Sequence, residues 1–229
     1  MPSPPPLNIL VVDDHALVRE AFTMMLQGEF PLATVVSAGT CSEAMTEARL
    51  HHYEIALVDI ELGDRSGMEL TTELRMLPDP PRIIAVSMHQ EETFVTRTMQ
   101  LGARSYVAKD APPQELFDAI RPTLEGRSYI SRDLAQRFAS QSIHKGVVGG
   151  NVHEKLSNRE LEVLMQLARG KSLKQVALDL SLSPKTVAVH KHNLCRKTGL
   201  KGIVEILRYC QSSGLALRWT PKFGPVVKL

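Results

Sequence analysis

The sequence is poor in cysteine and has no long apolar run, and each absence argues against a class of protein. Its three cysteines, Cys41, Cys195 and Cys210, are far apart and show no CxxC spacing. This pattern favours buried, reduced thiols in a cytoplasmic protein over a disulfide framework or a zinc site. No apolar stretch approaches the roughly 20 residues of a membrane-spanning helix, so we expect no membrane partner. The proline-rich start lacks the basic and apolar regions of a signal peptide, and we expect none.

The charge is divided unevenly along the chain, although the 229 residues together carry only +2. Residues 1–125 contain 9 Lys and Arg against 19 Asp and Glu, whereas residues 151–229 contain 14 against 5. An acidic first half and a basic second half indicate two modules, the second with a polyanionic partner. We therefore predict a first domain over 1–125 and a second over 154–215. A linker, 126–153, joins them, and a C-terminal tail, 216–229, follows.

The first module alternates short β-branched segments with helical patterns. The apolar segments are NILVVD, ATVVSA, EIALVDI, RIIAVSM and RSYVAK. Strands that alternate with helices predict an α/β fold in which helices cover both faces of a five-stranded, doubly wound parallel sheet. Pro122 lies late in the fifth helical pattern, where we expect it to kink or end the helix. In the linker, SRDLAQRFASQ is compatible with a short helix before a glycine-rich stretch.

The second module is helical throughout and predicts a small all-α domain of four helices. Ser157 and Glu160 have the spacing of a capping box at the start of its first helix. Ser183 and Pro184 are suited to begin a later helix, and Gly199 is suited to end it. Two short helices joined by the tight turn SLS, in a basic module, indicate a helix-turn-helix.

Two adjacent aspartates, Asp13 and Asp14, follow the first apolar strand directly. Their carboxylates repel each other, so a positive charge is needed beside them. In parallel sheets, ligands bind beyond the carboxyl ends of the strands. There the third strand ends in Asp59, the fourth in Ser87 and the fifth in Lys109. The three carboxylates form an oxygen-only pocket, which predicts a Mg²⁺ site.

In order and spacing, these residues and Tyr106 resemble the receiver domain of two-component response regulators, over about residues 7–125. The resemblance implies that Asp59 accepts a phosphoryl group from a phosphohistidine on a sensor histidine kinase. Lys109 and Ser87 would then contact phosphoryl oxygens, and Tyr106 would rotate inward as a switch. Taken alone, Tyr106 would be ordinary half-buried packing in a sheet.

Glu61 and His89 lie two residues beyond Asp59 and Ser87. The resemblance implies that the backbone carbonyl of Glu61 joins the three aspartates as a Mg²⁺ ligand. It also implies that both side chains tune how fast water removes the phosphoryl group, so that the protein catalyses its own dephosphorylation but is otherwise not an enzyme. A position on the solvated rim of the site is the alternative for both residues.

The segment LSNRELEVLMQLARGKSLKQVALDLSLSPKTVAVHKHNLCRKTGL resembles the DNA-binding module of LuxR-type regulators, over about residues 154–215. Helical spacing places Val187 and Leu194 inside and one basic face outside. From that face we expect contacts in the major groove from Lys185, Ala188, Val189, His192 and Arg196. We expect contacts with DNA phosphates from Lys171, Lys174, Lys191 and Lys197. A solvated basic helix face is the alternative.

Together, the two resemblances point to a response regulator of the NarL/FixJ type. Phosphorylation of Asp59 would favour a homodimer and control DNA binding at paired promoter half-sites. An apolar stripe on the last helix, from Ile203 to Cys210, would serve either this dimer or the core. One alternative is a phosphorylation-independent DNA-binding regulator whose first domain mediates dimerisation or partner docking. Another is an aspartate-nucleophile phosphohydrolase, but that class uses Asp-x-Asp on one strand, whereas this pair is adjacent.

Overall fold

The computed structural model describes residues 7–136, 138, 152–213 and 215, which form two compact units, one in each half of the chain. The first unit has six strands and is an α/β domain. Its strands are Asn8–Val12 (β1), Thr34–Ala38 (β2), Ile55–Asp59 (β3), Arg82–Ser87 (β4), Ser105–Ala108 (β5) and Tyr129–Ile130 (β6). Its helices are Ala16–Glu29 (α1), Cys41–Leu50 (α2), Gly67–Arg75 (α3), Glu92–Leu101 (α4), Pro113–Leu124 (α5) and a short helix over 132–136 (α6).

The six strands form one parallel sheet in the order β2-β1-β3-β4-β5-β6. This confirms the predicted doubly wound parallel fold. The central strands are apolar on both faces because helices cover both sides of the sheet. In β1, for example, every residue from Ile9 to Val12 is buried. The carboxyl ends of β1, β3, β4 and β5 therefore share one edge, where the polar residues that follow them meet.

A sixth strand extends the sheet beyond the five that the sequence predicts. In β6, Tyr129 pairs with Ser105 and Ile130 with Tyr106, and the following turn buries Leu134. The Ser105 hydroxyl accepts a hydrogen bond from the Tyr129 N–H at 3.1 Å. A strand of two residues has no detectable alternation, which explains why the sequence analysis assigned this segment to the linker. The predicted linker residues 139–151 and the tail 216–229 lie outside the described residues.

Helix α5 continues past its internal proline. Pro122 lies inside the helix, which ends at Leu124 rather than at the proline. The Thr123 hydroxyl donates to the Ala119 carbonyl at 2.6 Å and lies 2.5 Å from the Ser105 hydroxyl. The contact with Ser105 holds the last turn of α5 against β5 and outweighs the local preference to stop at Pro122.

The second unit is all-α in the residues described, as predicted. Ser157 and Glu160 form the expected capping box, and Gly199 ends a later helix with a left-handed φ of 77°. Val187 and Leu194 are buried, so that later helix has the predicted inward face. The helices are Asn158–Ala168 (α7), Leu173–Asp179 (α8), Pro184–Thr198 (α9) and Ile203–Ser212 (α10), preceded by a 3₁₀ turn at Val152–Lys155.

Leu134→Ala tests whether the buried leucine holds β6 on the sheet. Truncating a buried leucine costs about 2–5 kcal/mol. Because the segment lies at the sheet edge, we expect local opening, with hydrogen exchange of the Tyr129 amide rising about tenfold or more. Arg132→Ala, at an exposed position of the same turn, is the control. Unchanged exchange at Tyr129 in Leu134→Ala would contradict this role.

Candidate functional site

Four polar residues meet at the carboxyl edge of the first sheet. Ligand atoms of Asp13, Asp14, His15 and Asp59 all lie within 4.8 Å of one another. Asp13 and Asp59 are buried, with 1% and 2% of their surface exposed. The ends of β1 and β3 bring them together because these strands are neighbours in the sheet. The structure thus unites the three aspartates that the sequence analysis placed at one site.

Lys109 supplies the positive charge between the buried aspartates. Its ammonium lies 2.6 Å from Asp13 Oδ2 and 2.7 Å from Asp59 Oδ2. The backbone N–H of Lys109 donates to the Ser87 carbonyl at 2.9 Å, which holds the Lys109 backbone beside the end of β4. The sequence predicts that Mg²⁺ neutralises the aspartates, and the resemblance to receiver domains implies that Lys109 contacts a phosphoryl oxygen. In this structure, the lysine itself bridges the two carboxylates.

Burial and nearby charges shift the pKa values of Asp59 and Lys109. It raises the pKa of Asp59 to about 8, although the nearby Lys109 ammonium lowers that pKa and Asp13 adds a further increase. Burial also lowers the pKa of Lys109, but the nearby Asp59 and Asp13 carboxylates raise it by more. The pKa of the lysine therefore lies above its usual range. A divalent cation would favour the ionised form of Asp59. Three carboxylates in one oxygen-rich pocket therefore suit Mg²⁺.

His15 is a member of the cluster that the sequence analysis missed. Its Nδ1 lies 2.7 Å from Asp14 Oδ1, and its backbone N–H donates to Asp13 Oδ1 at 2.8 Å. His15 is the residue directly before α1, where the backbone turns from strand to helix. Its position directly after two aspartates at a strand end was the available signal.

Ser87 and Tyr106 are both fully buried and are connected through one residue. The Ser87 hydroxyl accepts the His89 N–H at 3.0 Å, and the Tyr106 hydroxyl donates to the His89 carbonyl at 2.6 Å. Tyr106 therefore already occupies an inward position, the one expected at the end of its rotation.

Glu61 and His89 form a direct contact. The Glu61 N–H donates to Asp59 Oδ1 at 3.0 Å, and its carboxylate lies 2.9 Å from His89 Nε2. His89 is completely buried, so the solvated-rim alternative does not hold for it. Burial opposes protonation of the imidazole, but the Glu61 and Glu91 carboxylates raise the pKa of His89 to about 9.

Gly67 allows helix α3 to begin directly against the backbone of Asp59. An added Cβ would lie 1.8 Å from the Asp59 carbonyl oxygen, a distance at which backbone must move. The Gly67 N–H donates to the Ile60 carbonyl at 2.9 Å, which holds this approach. Only a residue without a side chain fits here.

The second candidate surface is the outer face of α9. Every residue expected in the major groove is exposed, whereas Val187 and Leu194 are buried beneath them. Val189 exposes 53% of its surface, so its methyl groups are available for apolar contact with a base. The exposed residues are Lys185, Ala188, Val189, His192 and Arg196.

Two of the four lysines expected on DNA phosphates form ion pairs within the unit. Lys197 Nζ lies 2.6 Å from Glu160 Oε2, and Lys171 Nζ lies 2.6 Å from Asp179 Oδ2. A DNA phosphate would have to compete with these carboxylates. Lys174 is exposed, and Lys191 is partly exposed.

Comparison with known proteins assigns both units to families. Residues 9–121 match the family model of the response regulator receiver domain. Residues 154–210 match that of the bacterial regulatory proteins of the luxR family. UvrY of Escherichia coli K12 is 30% identical over 209 residues, which cover 91% of this chain and 95% of UvrY. This chain belongs to the response regulators with a LuxR-type DNA-binding domain.

Further relatives agree with this assignment. UhpA, a transcriptional regulatory protein of E. coli K12, is 33% identical over 202 residues, 88% of this chain and 96% of UhpA. A LuxR-family two-component response regulator from Aurantimonas sp. SI85-9A1 has a solved structure that is 33% identical. It superposes with a TM-score of 0.57 over 60% of this chain and 99% of its own. The chain is therefore a two-component regulator of transcription. Among the described residues, no helix is long and apolar enough to cross a membrane.

Gly67→Ala tests the close approach behind the receiver site. The added Cβ meets the Asp59 backbone, so we expect the free energy of unfolding to fall by about 1–3 kcal/mol, as in other overpacked sites. Thermal or urea unfolding measures this. Gly28→Ala is the matched control because nothing lies within 4 Å of its Cβ position in helix α1. We expect Gly28→Ala to stabilise the protein by about 0.5–1 kcal/mol. Equal stability of the two variants would contradict the packing argument.

Proposed function

We propose that the receiver domain accepts a phosphoryl group on Asp59 from a phosphohistidine of a sensor histidine kinase, and that this controls dimerisation and DNA binding. The observation that carries the proposal is the Lys109 ammonium beside the buried Asp59 carboxylate, 2.7 Å from Oδ2. A buried carboxylate that faces a fixed cation at a sheet edge is suited to an anionic phosphoryl group. Asp13 and Asp14 complete an acidic pocket beside it.

The reaction requires Asp59 as a carboxylate. One of its oxygens attacks phosphorus, an O–P bond forms, and the P–N bond to the donor histidine breaks, with the electron pair going to the imidazole nitrogen. The products are an acyl phosphate on Asp59 and a neutral donor histidine, which forms when that nitrogen takes up one proton. The Glu61 N–H, which donates to Asp59 Oδ1 at 3.0 Å, helps to orient the carboxylate.

The surrounding residues would stabilise the charge of the transferred group. Lys109 would move from bridging two carboxylates to contacting a phosphoryl oxygen. The Ser87 hydroxyl accepts the His89 N–H and would donate its own proton to another phosphoryl oxygen. Asp13, Asp14, Asp59 and the backbone carbonyl of Glu61 would hold Mg²⁺, which when bound neutralises phosphoryl oxygens.

The same site would also return the phosphoryl group to water. Hydrolysis of the acyl phosphate releases inorganic phosphate and regenerates the Asp59 carboxylate. The Glu61 carboxylate and His89 border the site and are in contact with each other at 2.9 Å. Their arrangement would set the lifetime of the phosphorylated state.

The second unit would bind promoter DNA through α9. Lys185, Ala188, Val189, His192 and Arg196 would contact the major groove, and the four lysines would contact phosphates. In a phosphorylated homodimer, two copies of α9 would occupy half-sites about 34 Å apart, or a multiple of that distance. Of the apolar stripe predicted on the last helix, Ile206 and Cys210 are buried in the core of the unit. Ile203 and the neighbouring Val204 are exposed and would offer an apolar surface for such a dimer.

The first experiment is intact-mass spectrometry after incubation with acetyl phosphate and Mg²⁺. The wild type should gain the mass of one phosphoryl group, whereas Asp59→Asn should gain none because an amide is not a nucleophile here. Chelation of Mg²⁺ should abolish the gain, and the phosphorylated sample should shift from monomer to dimer in light scattering. DNA affinity that is identical in wild type and Asp59→Asn, before and after treatment, would instead support the phosphorylation-independent alternative.

A second experiment separates base contacts from phosphate contacts on α9. Lys191→Ala should reduce the slope of log affinity against log salt by about 0.9, the change expected for one lost phosphate contact. His192→Ala should reduce discrimination at one base pair by about 1–3 kcal/mol and leave that slope unchanged. Lys155→Ala, an exposed lysine outside the predicted surface, is the control. Equal effects of all three substitutions would show that α9 does not lie in the groove.

A further inference from the structure

His89 is a completely buried ionisable residue for which the phosphoryl transfer itself has no direct use. Both nitrogens of its ring face a carboxylate: Nε2 lies 2.9 Å from Glu61 Oε1, and Nδ1 lies 3.3 Å from Glu91 Oε2. The ring also stacks on Phe94, with centroids 4.0 Å apart and planes 4° apart. A buried charged group is costly unless it is paired, and this one is paired on both sides. The arrangement is thus specific rather than incidental packing.

The two carboxylates belong to different parts of the fold. Glu61 follows β3, and its N–H donates to Asp59 Oδ1. Glu91 is the residue before α4, and its carbonyl accepts the N–H groups of Phe94 and Val95. The imidazole therefore connects the segment beside Asp59 to the first turn of α4.

The backbone of His89 adds two connections to the same network. Its N–H donates to the Ser87 hydroxyl at 3.0 Å, and its carbonyl accepts the Tyr106 hydroxyl at 2.6 Å. One residue thus contacts the group expected to touch the phosphoryl oxygens, the aromatic residue of β5 and the start of α4. These contacts leave little free space, because buried side chains are closely packed, so a displacement of Ser87 or Glu61 would also displace His89.

We propose that His89 is a positioning residue that couples the state of Asp59 to helix α4. The inference rests on the proposed phosphorylation of Asp59. A phosphoryl group there must rearrange the hydrogen bonds of the Glu61 N–H and the Ser87 hydroxyl, and both residues are bonded to His89. The imidazole passes this displacement to Glu91, and hence to the first turn of α4. Breaking the connection should leave phosphorylation intact and remove the response to it.

Two substitutions break the connection at different points. His89→Gln removes one of the two ring contacts, and Glu91→Gln removes the charge on the α4 side while leaving Glu61 and His89 paired. Glu69→Gln, the same chemical change at an exposed position of α3, is the matched control. Each protein is phosphorylated with acetyl phosphate and Mg²⁺, and the phosphorylated fraction is measured by intact mass. DNA affinity and hydrogen exchange in α4 are then compared before and after phosphorylation.

We expect the wild type and Glu69→Gln to gain affinity on phosphorylation by a factor in the range of about 5–150, as for other allosteric couplings. In His89→Gln and Glu91→Gln, Asp59 should still be phosphorylated, but the gain in affinity per phosphorylated molecule should fall to less than about twofold. Their α4 amides should also exchange at the same rate before and after phosphorylation. A residue that only stabilised the fold would not separate phosphorylation from its response in this way.

Two results would overturn the coupling role. Full gains in both variants would show that α4 responds without His89, and loss of phosphorylation in both would assign His89 to the transfer step instead. Failure of the proposed function appears separately, in the wild type: a protein that takes no phosphoryl group, or takes one without a gain in affinity, removes the basis for both proposals. If His89→Gln unfolds, the folded Glu91→Gln variant still decides between these outcomes.

Discussion

The first domain depends on one largely buried cation, the Lys109 ammonium, held between Asp13 and Asp59. Both carboxylates are almost fully buried, and the lysine lies within 2.7 Å of each. Removing one partner from a buried ion pair typically costs 3–5 kcal/mol because a charge is left uncompensated. The same carboxylates raise the pKa of the lysine against the effect of burial, so it remains charged. The site is thus an electrostatic balance that an incoming cation or phosphoryl group must shift.

A second buried cation organises the neighbouring loop. His89 lies between Glu61 and Glu91 as Lys109 lies between its two aspartates, but it faces α4 rather than the acidic pocket. Glu61 belongs to both groups because its backbone bonds Asp59 and its carboxylate bonds His89. The chemistry at the sheet edge and the conformation of the β4–α4 loop are therefore linked by short, charge-assisted contacts.

Much of the fold and of the receiver site could be predicted from sequence because both follow from local patterns. Alternating strands and helices imply a parallel sheet, and a parallel sheet brings its carboxyl ends to one edge, which places Asp13, Asp59 and Lys109 together. In the second domain, the Ser157 cap and the terminal Gly199 mark helix boundaries by their backbone chemistry. Strand β6 was not predicted because two residues show no periodicity. Helix α5 continues past Pro122 because the contact between the Thr123 and Ser105 hydroxyls holds its last turn against β5.

By itself, the sequence determined which residue types reach the functional edge and which face of α9 is exposed, since strand direction and helical spacing are local properties. Only the tertiary structure decided which charges pair. Glu160 pairs with Lys197, 37 positions further along the chain, and Glu61 pairs with His89, 28 positions further along. Such pairs depend on how helices and loops pack in three dimensions, and no local spacing records that packing. For this reason the sequence shows which cationic side chains the protein has, but not which carboxylates they pair with.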